Sequence, residues 1–217
     1  FAEPLHKLLF TTGNLSMSKL VLASSSVYRK ALLERLQLPF DCYSPNIDES
    51  LLQGESGYQL AQRLSLQKAQ AVGAKFPDSI IIGSDQVAEL VAPNKQNTNG
   101  SQQNRILGKP GNHSQAVNQL TAQSGQRVLF HTGLAVIYQG VEKSIVNTTE
   151  VAFRELTLDQ IENYLCREKP YDCAGSFKAE SLGVSLFRAV NSNDPTSLIG
   201  LPLIELCNLL AEFDIEV

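Results

Sequence analysis

The stretch Leu20-Val21-Leu22-Ala23-Ser24-Ser25-Ser26-Val27-Tyr28-Arg29 carries an apolar run into three hydroxyls and an arginine, where a helix is due to begin. Hydroxyls and free backbone N–H groups at such a turn can hold phosphate oxygens, and a guanidinium can grip the same group through paired, charge-assisted hydrogen bonds. Serines between a strand and a helix are equally ordinary N-caps, so both readings stand at this stage. Four further charged residues occupy unusual places. Glu49 follows Asp48 in an expected loop. At about 100° per residue from Leu60, Lys68 falls inside the apolar arc of Leu60, Ala61, Leu64, Ala71 and Val72. An ammonium there either reaches a polar cleft or snorkels to water. Asp85 interrupts the core-like run that opens with Ile80-Ile81-Ile82-Gly83. A carboxylate in that position must be paired, hydrogen-bonded or bound to metal. Lys109 lies between Gly108 and Pro110, in a turn that can aim a cation or simply expose it.

Taken together, three cations (Arg29, Lys68, Lys109) and two carboxylates (Glu49, Asp85) suit a polyphosphate. The cations can neutralise phosphate oxygens, while the carboxylates can hold a hard divalent ion that also binds substrate and activates water. The chain has neither a GxxxxGK[ST] loop nor a GxGxxG run, so a P-loop or dinucleotide site is not supported. His6, His113 and His131 are isolated, and Cys42, Cys166, Cys173 and Cys207 form no CxxC pair. Zinc-hydrolase, catalytic-triad and disulfide readings therefore find no framework.

The elements that must position these residues alternate between strands and helices. After the first strand, a helix carries Ala31, Leu32, Leu33 and Leu36, and a short strand follows over 41–44. A second helix spans 57–76, with Lys75 snorkelling from its last turn. Asn112 with Gln115 opens a helix that Gly125 ends, and Thr157 with Gln160 opens another to about Arg167. Strands over 128–138 and 144–153 flank Gln139-Gly140-Val141 as a hairpin. The run Cys173-Ala174-Gly175-Ser176-Phe177-Lys178-Ala179-Glu180 is small and polar enough to line a pocket, a strand is expected over 184–190, and a last helix over 202–213. Mixed strands and helices with several crossovers indicate an α/β fold.

At 217 residues, 43% hydrophobic, the chain can bury a full core. Its formal charge of -4 and lack of a basic stripe argue against wrapping a nucleic-acid polymer. No apolar run approaches the roughly 20 residues that cross a bilayer, and scattered reduced thiols suit the cytoplasm. Met17 stands immediately before the first strand, so residues 1–16 read as an N-terminal extension outside the fold and 17–217 as one domain. A polar insertion over about 93–105, rich in Asn, Gln, Ser and Thr, is expected to carry none of the chemistry.

The serine run with Arg29, Asp48-Glu49, Lys68-Ala69, Gly83-Ser84-Asp85-Gln86, Gly108-Lys109-Pro110 and Gly200-Leu201-Pro202 resemble, in order, the motifs of the Maf family of nucleotide pyrophosphatases. That resemblance implies a mixed twisted sheet flanked by helices, with two lobes around a central cleft. It implies a cytoplasmic, homodimeric enzyme, dependent on Mg²⁺ or Mn²⁺, that splits a nucleoside triphosphate into the monophosphate and pyrophosphate. Asp85 would be the proton acceptor, Glu49 and Asp85 the metal ligands, and Ser24, Ser26, Arg29, Lys68 and Lys109 the phosphate holders. The family's pyrimidine branch carries arginine, threonine and glutamine at the positions of Tyr28, Gln86 and Glu180, and none of the three is present. The pattern is similar instead to the 7-methyl-GTP branch. Tyr28 would stack on the cationic methylated base, and Glu180 would accept hydrogen bonds from guanine N1–H and the amino group. The alternatives are a dTTP/UTP pyrophosphatase of the same family and a non-catalytic nucleotide-binding regulator of septum formation.

Overall fold

The computed structural model describes residues 19–92 and 104–217; the expected extension over 1–16 and residues 93–103 of the polar insertion lie outside the described residues. Seven strands form one open sheet: β1 (Leu20–Leu22), β2 (Phe40–Cys42), β3 (Ile80–Leu90), β4 (Arg105–Leu107), β5 (Arg127–Tyr138), β6 (Val141–Phe153) and β7 (Phe187–Asn191). Their order is β2-β1-β3-β5-β6-β7, with β4 beside β3. β1 runs parallel to β2 and β3, and the remaining pairings are antiparallel. The helices are α1 (Val27–Leu33), α2 (Gly57–Gly73), α3 (His113–Gln123), α4 (Leu158–Glu168) and α5 (Leu203–Ala211). The sheet is therefore mixed and flanked by helices, as expected.

One strand organises the rest. β3 pairs with β5 along residues 81–90, so β1 and β4 must share its other edge. There β1 covers Ile80–Ile82 and β4 covers Ala88–Leu90, which leaves Gly83 to Val87 open on that edge. The chain leaves β1 toward the gap from one side, and leaves β4 toward it from the other. Asp85 sits at its middle.

One face of β3 and β5 carries two apolar environments at opposite ends of the strands. Ile80, Ile82, Leu134 and Val136 join β1, α1 and α5 in one apolar cluster, whereas Ala88, Val128 and Phe130 join α3 and α4 in another. Between them on the same face lie Ser84, Gln86 and Thr132, a polar band that divides the core in two. The turn Ser197–Gly200 fills the band: Gln86 Nε2 donates to the Ser197 and Leu198 carbonyls at 2.9 and 3.0 Å, and Ser84 Oγ donates to that of Gly200 at 2.9 Å.

The opposite face receives α2, whose start is fixed by a capping box between Ser56 and Gln59. The helix comes unusually close because two strand residues are glycines. A Cβ on Gly83 would lie 2.2 Å from the Ser65 carbonyl oxygen, and one on Gly133 would lie 2.2 Å from that of Ala61. Lys68 and Ala69 face the sheet here, while Ala71, placed on that face by the periodicity, is only half-buried.

Several boundaries differ from the sequence reading. The strand expected over 184–190 begins as a 3₁₀ segment, Leu182–Leu186, and pairs with β6 only from Phe187. Apolar content there reflects burial of Leu186 beside Phe187 rather than ladder bonding. Lys75 lies beyond the end of α2 and donates to the Tyr43 hydroxyl at 2.7 Å.

Gly83→Ala should destabilise the protein by about 1–3 kcal/mol or more, since the methyl meets backbone that cannot step aside. Urea denaturation checks this: a midpoint equal to wild type would mean that α2 can ride higher at no cost.

Candidate active site

Ala23 to Ser26 carry the chain from β1 into α1, and two serines there do different work. Ser26 is the N-cap: its hydroxyl accepts from the Arg29 N–H at 3.4 Å, so the ordinary reading of a capping serine holds for it. Ser24 is 6% exposed and accepts from the Ser26 N–H at 3.1 Å and from Arg29 Nη1 at 3.4 Å. Arg29 Nε donates to the Gly200 carbonyl at 2.9 Å, so one oxygen joins α1, Ser84 of β3 and the 197–200 turn. Gly200 adopts φ 124°, a conformation that excludes most side chains. Burial alone depresses the Arg29 pKa, while Asp85 and Glu49 oppose that shift. The group remains a permanent cation.

Lys68 is 7% exposed and does not snorkel. Its Nζ donates to Asp85 Oδ1 at 2.5 Å and reaches Glu49 Oε1 at 2.7 Å. The ammonium thus bridges the two carboxylates that the sequence singled out. Burial would raise the Glu49 pKa, but the hydrogen bond and charge of Lys68, with Lys109 and Arg29 behind it, hold that carboxyl below its usual range.

A cleft of about 460 Å³ opens over these groups. Ser24, Ser26, Arg29, Glu49, Lys68 and Lys109 line one end. Asp85, 8% exposed, is hydrogen-bonded to Lys68, which lines the cleft. Tyr28, Asp172, Cys173 and Glu180 group together at the other end, and Phe130 and Phe177 also line the cleft. All the sequence-derived candidates therefore converge on one site, nine lining it directly and Asp85 one contact away.

The far end is acidic. Burial first, then the nearby Cys173, Glu180 and Asp172, push the Tyr28 phenol up to about 12. It stays neutral at physiological pH. Burial also raises the Glu180 carboxyl, reinforced by Glu168 and Asp172 and opposed by Lys178, and it pushes the Cys173 thiol up to about 12. Asp172 was missed by the sequence reading, because an acid one residue before a small-residue loop has no spacing to mark it. Gln86 was read as a base-selecting residue, yet its amide N–H groups bind Thr132 and the Ser197 and Leu198 carbonyls. Its visible work is holding the turn.

A divalent ion fits the donor set. Glu49 and Asp85 each place an oxygen within hydrogen-bond length of one nitrogen, close enough for a single ion to take both after a small movement of the exposed Glu49 side chain. Glu49 and Asp85 could each contribute an oxygen, and Mg²⁺ commonly keeps waters and takes its remaining ligands from phosphate.

Against known proteins, a family model described as Maf-like protein matches residues 19–213. A relative from Xanthomonas axonopodis pv. citri, named 7-methyl-GTP pyrophosphatase, is 49% identical over 201 residues, covering 93% of this chain and 100% of its own length. A second of the same name, from Pseudomonas savastanoi pv. phaseolicola, is 50% identical over 203 residues, covering 93% and 100%. A solved HAM1 protein from Coxiella burnetii overlaps 90% of this chain and 100% of its own at 17% identity and a TM-score of 0.48, too loose a likeness to argue from. With the family model spanning nearly every described residue and relatives matched along their whole length, the chain belongs to the Maf family.

Proposed function

We propose that this protein hydrolyses 7-methyl-GTP to 7-methyl-GMP and pyrophosphate, clearing a modified nucleotide from the cytoplasm. The observation that carries this reading is the opposed charge of the cleft's two ends, cationic at Arg29, Lys68 and Lys109 and acidic at Asp172 and Glu180 beside the neutral Tyr28 ring. N7-methylation makes guanine a cation while the triphosphate remains an anion, so the substrate has the same polarity reversed. The names of the relatives support the same substrate.

At the phosphate end, Arg29, Lys68 and Lys109 hold the triphosphate, with Ser24 and Ser26 completing the cradle. Bound Mg²⁺ or Mn²⁺, held by Glu49 and Asp85, would neutralise phosphate charge and polarise the attacking water. Lys68 is engaged by the two carboxylates until phosphate oxygens offer it an equivalent partner. Turning toward them, it frees Asp85, which takes the proton of the attacking water as the anhydride between the α and β phosphates breaks. The departing electron pair stays on pyrophosphate, whose charge the cations hold. At the base end, the neutral Tyr28 ring faces the methylated purine and Glu180 accepts its N1–H and amino protons. Gln86 acts from beneath, by fixing the turn at Ser197–Gly200. The protein acts as a homodimer on a small molecule rather than on a nucleic-acid polymer or membrane. Its net charge is -4, and among the described residues no helix is long and apolar enough to cross a membrane.

Asp85→Asn should lower kcat by about 10²–10⁴-fold while nucleotide affinity is retained, because Lys68 keeps Glu49 as a partner. Pyrophosphate release and equilibrium binding measure the two separately; lost affinity with normal kcat would contradict the assignment. Against a panel of GTP, dTTP, UTP and CTP, 7-methyl-GTP should give the highest kcat/KM, and a preference for dTTP would refute the roles of Tyr28 and Glu180. Tyr28→Leu should cost about 0.5–2 kcal/mol of the preference for 7-methyl-GTP over GTP.

The preference for 7-methyl-GTP over a pyrimidine should also depend on pH. The Glu180 carboxyl is raised above its ordinary 4.5, so on acidification it gains its proton before an exposed glutamate would. Selectivity is then full above the raised value and declines as pH falls through it. Taking the ratio of 7-methyl-GTP to UTP, which lacks the guanine edge that Glu180 reads, cancels titration at the phosphate end. A ratio that begins to fall only below pH 4.5, or that falls equally in Glu180→Gln, would remove Glu180 from base recognition.

A further inference from the structure

Glu49 hangs on a segment that has neither strand nor helix. From Tyr43 to Ser56 the chain is irregular, and although Ile47 packs against Leu60 and Leu64, Leu51 and Leu52 beyond it are 53% and 56% exposed. Apolar burial does not hold the part that carries Glu49. Its own side chain is 55% exposed and meets only Lys68 among the described residues. Yet a carboxylate that shares an ion with Asp85 must keep its distance from β3 within narrow limits, which is a matter of the groups behind it.

One side chain supplies that restraint. Arg63, in the second turn of α2, donates from Nε to Glu55 Oε1 at 2.7 Å and from Nη2 to Glu55 Oε2 at 2.8 Å. The same Nη2 reaches the carbonyl of Ser50, next to Glu49, at 2.9 Å, and Nη1 donates to Gln67 Oε1 at 3.0 Å. Within the segment, Asp48 Oδ1 accepts from the Ser50 N–H at 2.9 Å and Glu55 Oε2 from the Leu52 N–H at 3.1 Å. The Arg63 and Glu55 side chains are 19% and 8% exposed, so this pair is far better shielded than Glu49 itself. Glu55 also precedes Ser56, the N-cap of α2, so the fork closes the loop onto the first turns of the helix that carries Lys68.

We propose that Arg63 is the positioning residue for Glu49: its planar fork ties Ser50 and Glu55 to α2, and so keeps Glu49 where one divalent cation can bridge it to Asp85. This rests on reading Glu49 and Asp85 as the ion's carboxylates. Bidentate geometry is essential to it, and a lysine, which carries a point charge, would restore the charge without the fork. The arginine's hydrogen bond holds the Glu55 carboxyl below its usual range, which favours the charged form the fork needs.

The test titrates Mn²⁺ into the full chain saturated with a non-hydrolysable 7-methyl-GTP analogue, which draws Lys68 off the carboxylates, read by electron paramagnetic resonance against the analogue alone, beside thermal melts and turnover of 7-methyl-GTP. Arg63→Lys and Glu55→Gln should each weaken Mn²⁺ binding about tenfold or more. In the Glu49→Gln background, adding Arg63→Lys should change Mn²⁺ affinity no further, because the group being positioned is gone. Unchanged affinity in Arg63→Lys with lowered melting temperature would make Arg63 merely structural and overturn the proposal. Multiplying effects in the double variant would do the same. Should Arg63→Lys not fold, Glu55→Gln decides by the same criteria. A wild-type chain that binds no Mn²⁺ overturns the two-carboxylate reading along with the proposal, whereas wild-type binding with unaffected variants overturns Arg63 alone.

Discussion

The close approach of α2 to β3 and β5 is the constraint on which the site depends. Helices normally ride on a sheet at a distance set by intervening side chains, and here two glycines remove them where Ser65 and Ala61 present backbone carbonyls. Lowered onto the strands in this way, α2 brings an ammonium on its buried face into direct contact with a carboxylate on β3. A buried charge of either sign alone would be expensive, and together they are tolerable because each satisfies the other. Such a pair is weak evidence for stability. Its value lies in keeping a carboxylate and a cation of the candidate site at a fixed place inside an otherwise apolar interface.

The second organising feature is the interrupted edge of β3. β1 and β4 each pair with a few residues of it and then turn away, and the gap between them is where the serine turn and Lys109 converge. Ligand sites in open sheets favour places where neighbouring connections diverge, for the simple reason that two loops can then flank one strand. The polar band of Ser84, Gln86 and Thr132 serves the other face of the same stretch. By binding the carbonyls of the 197–200 turn it fixes Gly200, and Gly200 in turn fixes Arg29. A chain of hydrogen bonds therefore runs from the strand floor to the guanidinium, without any of its members needing to touch substrate.

Much of this was legible residue by residue. Lys68 and Asp85 were conspicuous because a charge at an apolar phase of a helix or strand demands a partner, and each turned out to be the other's. Ser26 was ambiguous between cap and anion site, and the two are compatible: its hydroxyl accepts the Arg29 N–H as a cap and lines the cleft with its O–H still free to donate. Gln86 lines the cleft as its place in a motif suggested, but that place did not show that its amide would hold a turn more than a hundred residues away. Gly133 went unremarked although a glycine inside a long strand often marks a close backbone approach. Arg63 and Glu55 look like any solvated pair on a helix flank and carry no periodic anomaly at all.

Sequence by itself determined the cast: which charges occupy apolar phases, which turns can approach an anion, the order of motifs along the chain, and an aromatic and an acid in place of the pyrimidine-type residues. Those are local properties, set by residue type and by the 3.6- and two-residue periods, so they can be read without coordinates. Tertiary structure alone decided that Lys68 joins Asp85 to Glu49, that Asp172 joins Tyr28 and Glu180 at an acidic end, and that Arg63 bonds Glu55 and the Ser50 carbonyl beside Glu49. Each of those facts is a distance between elements far apart in the chain or on different faces of one helix. Such distances follow from strand register, helix height and loop closure acting together, which no single stretch of sequence encodes.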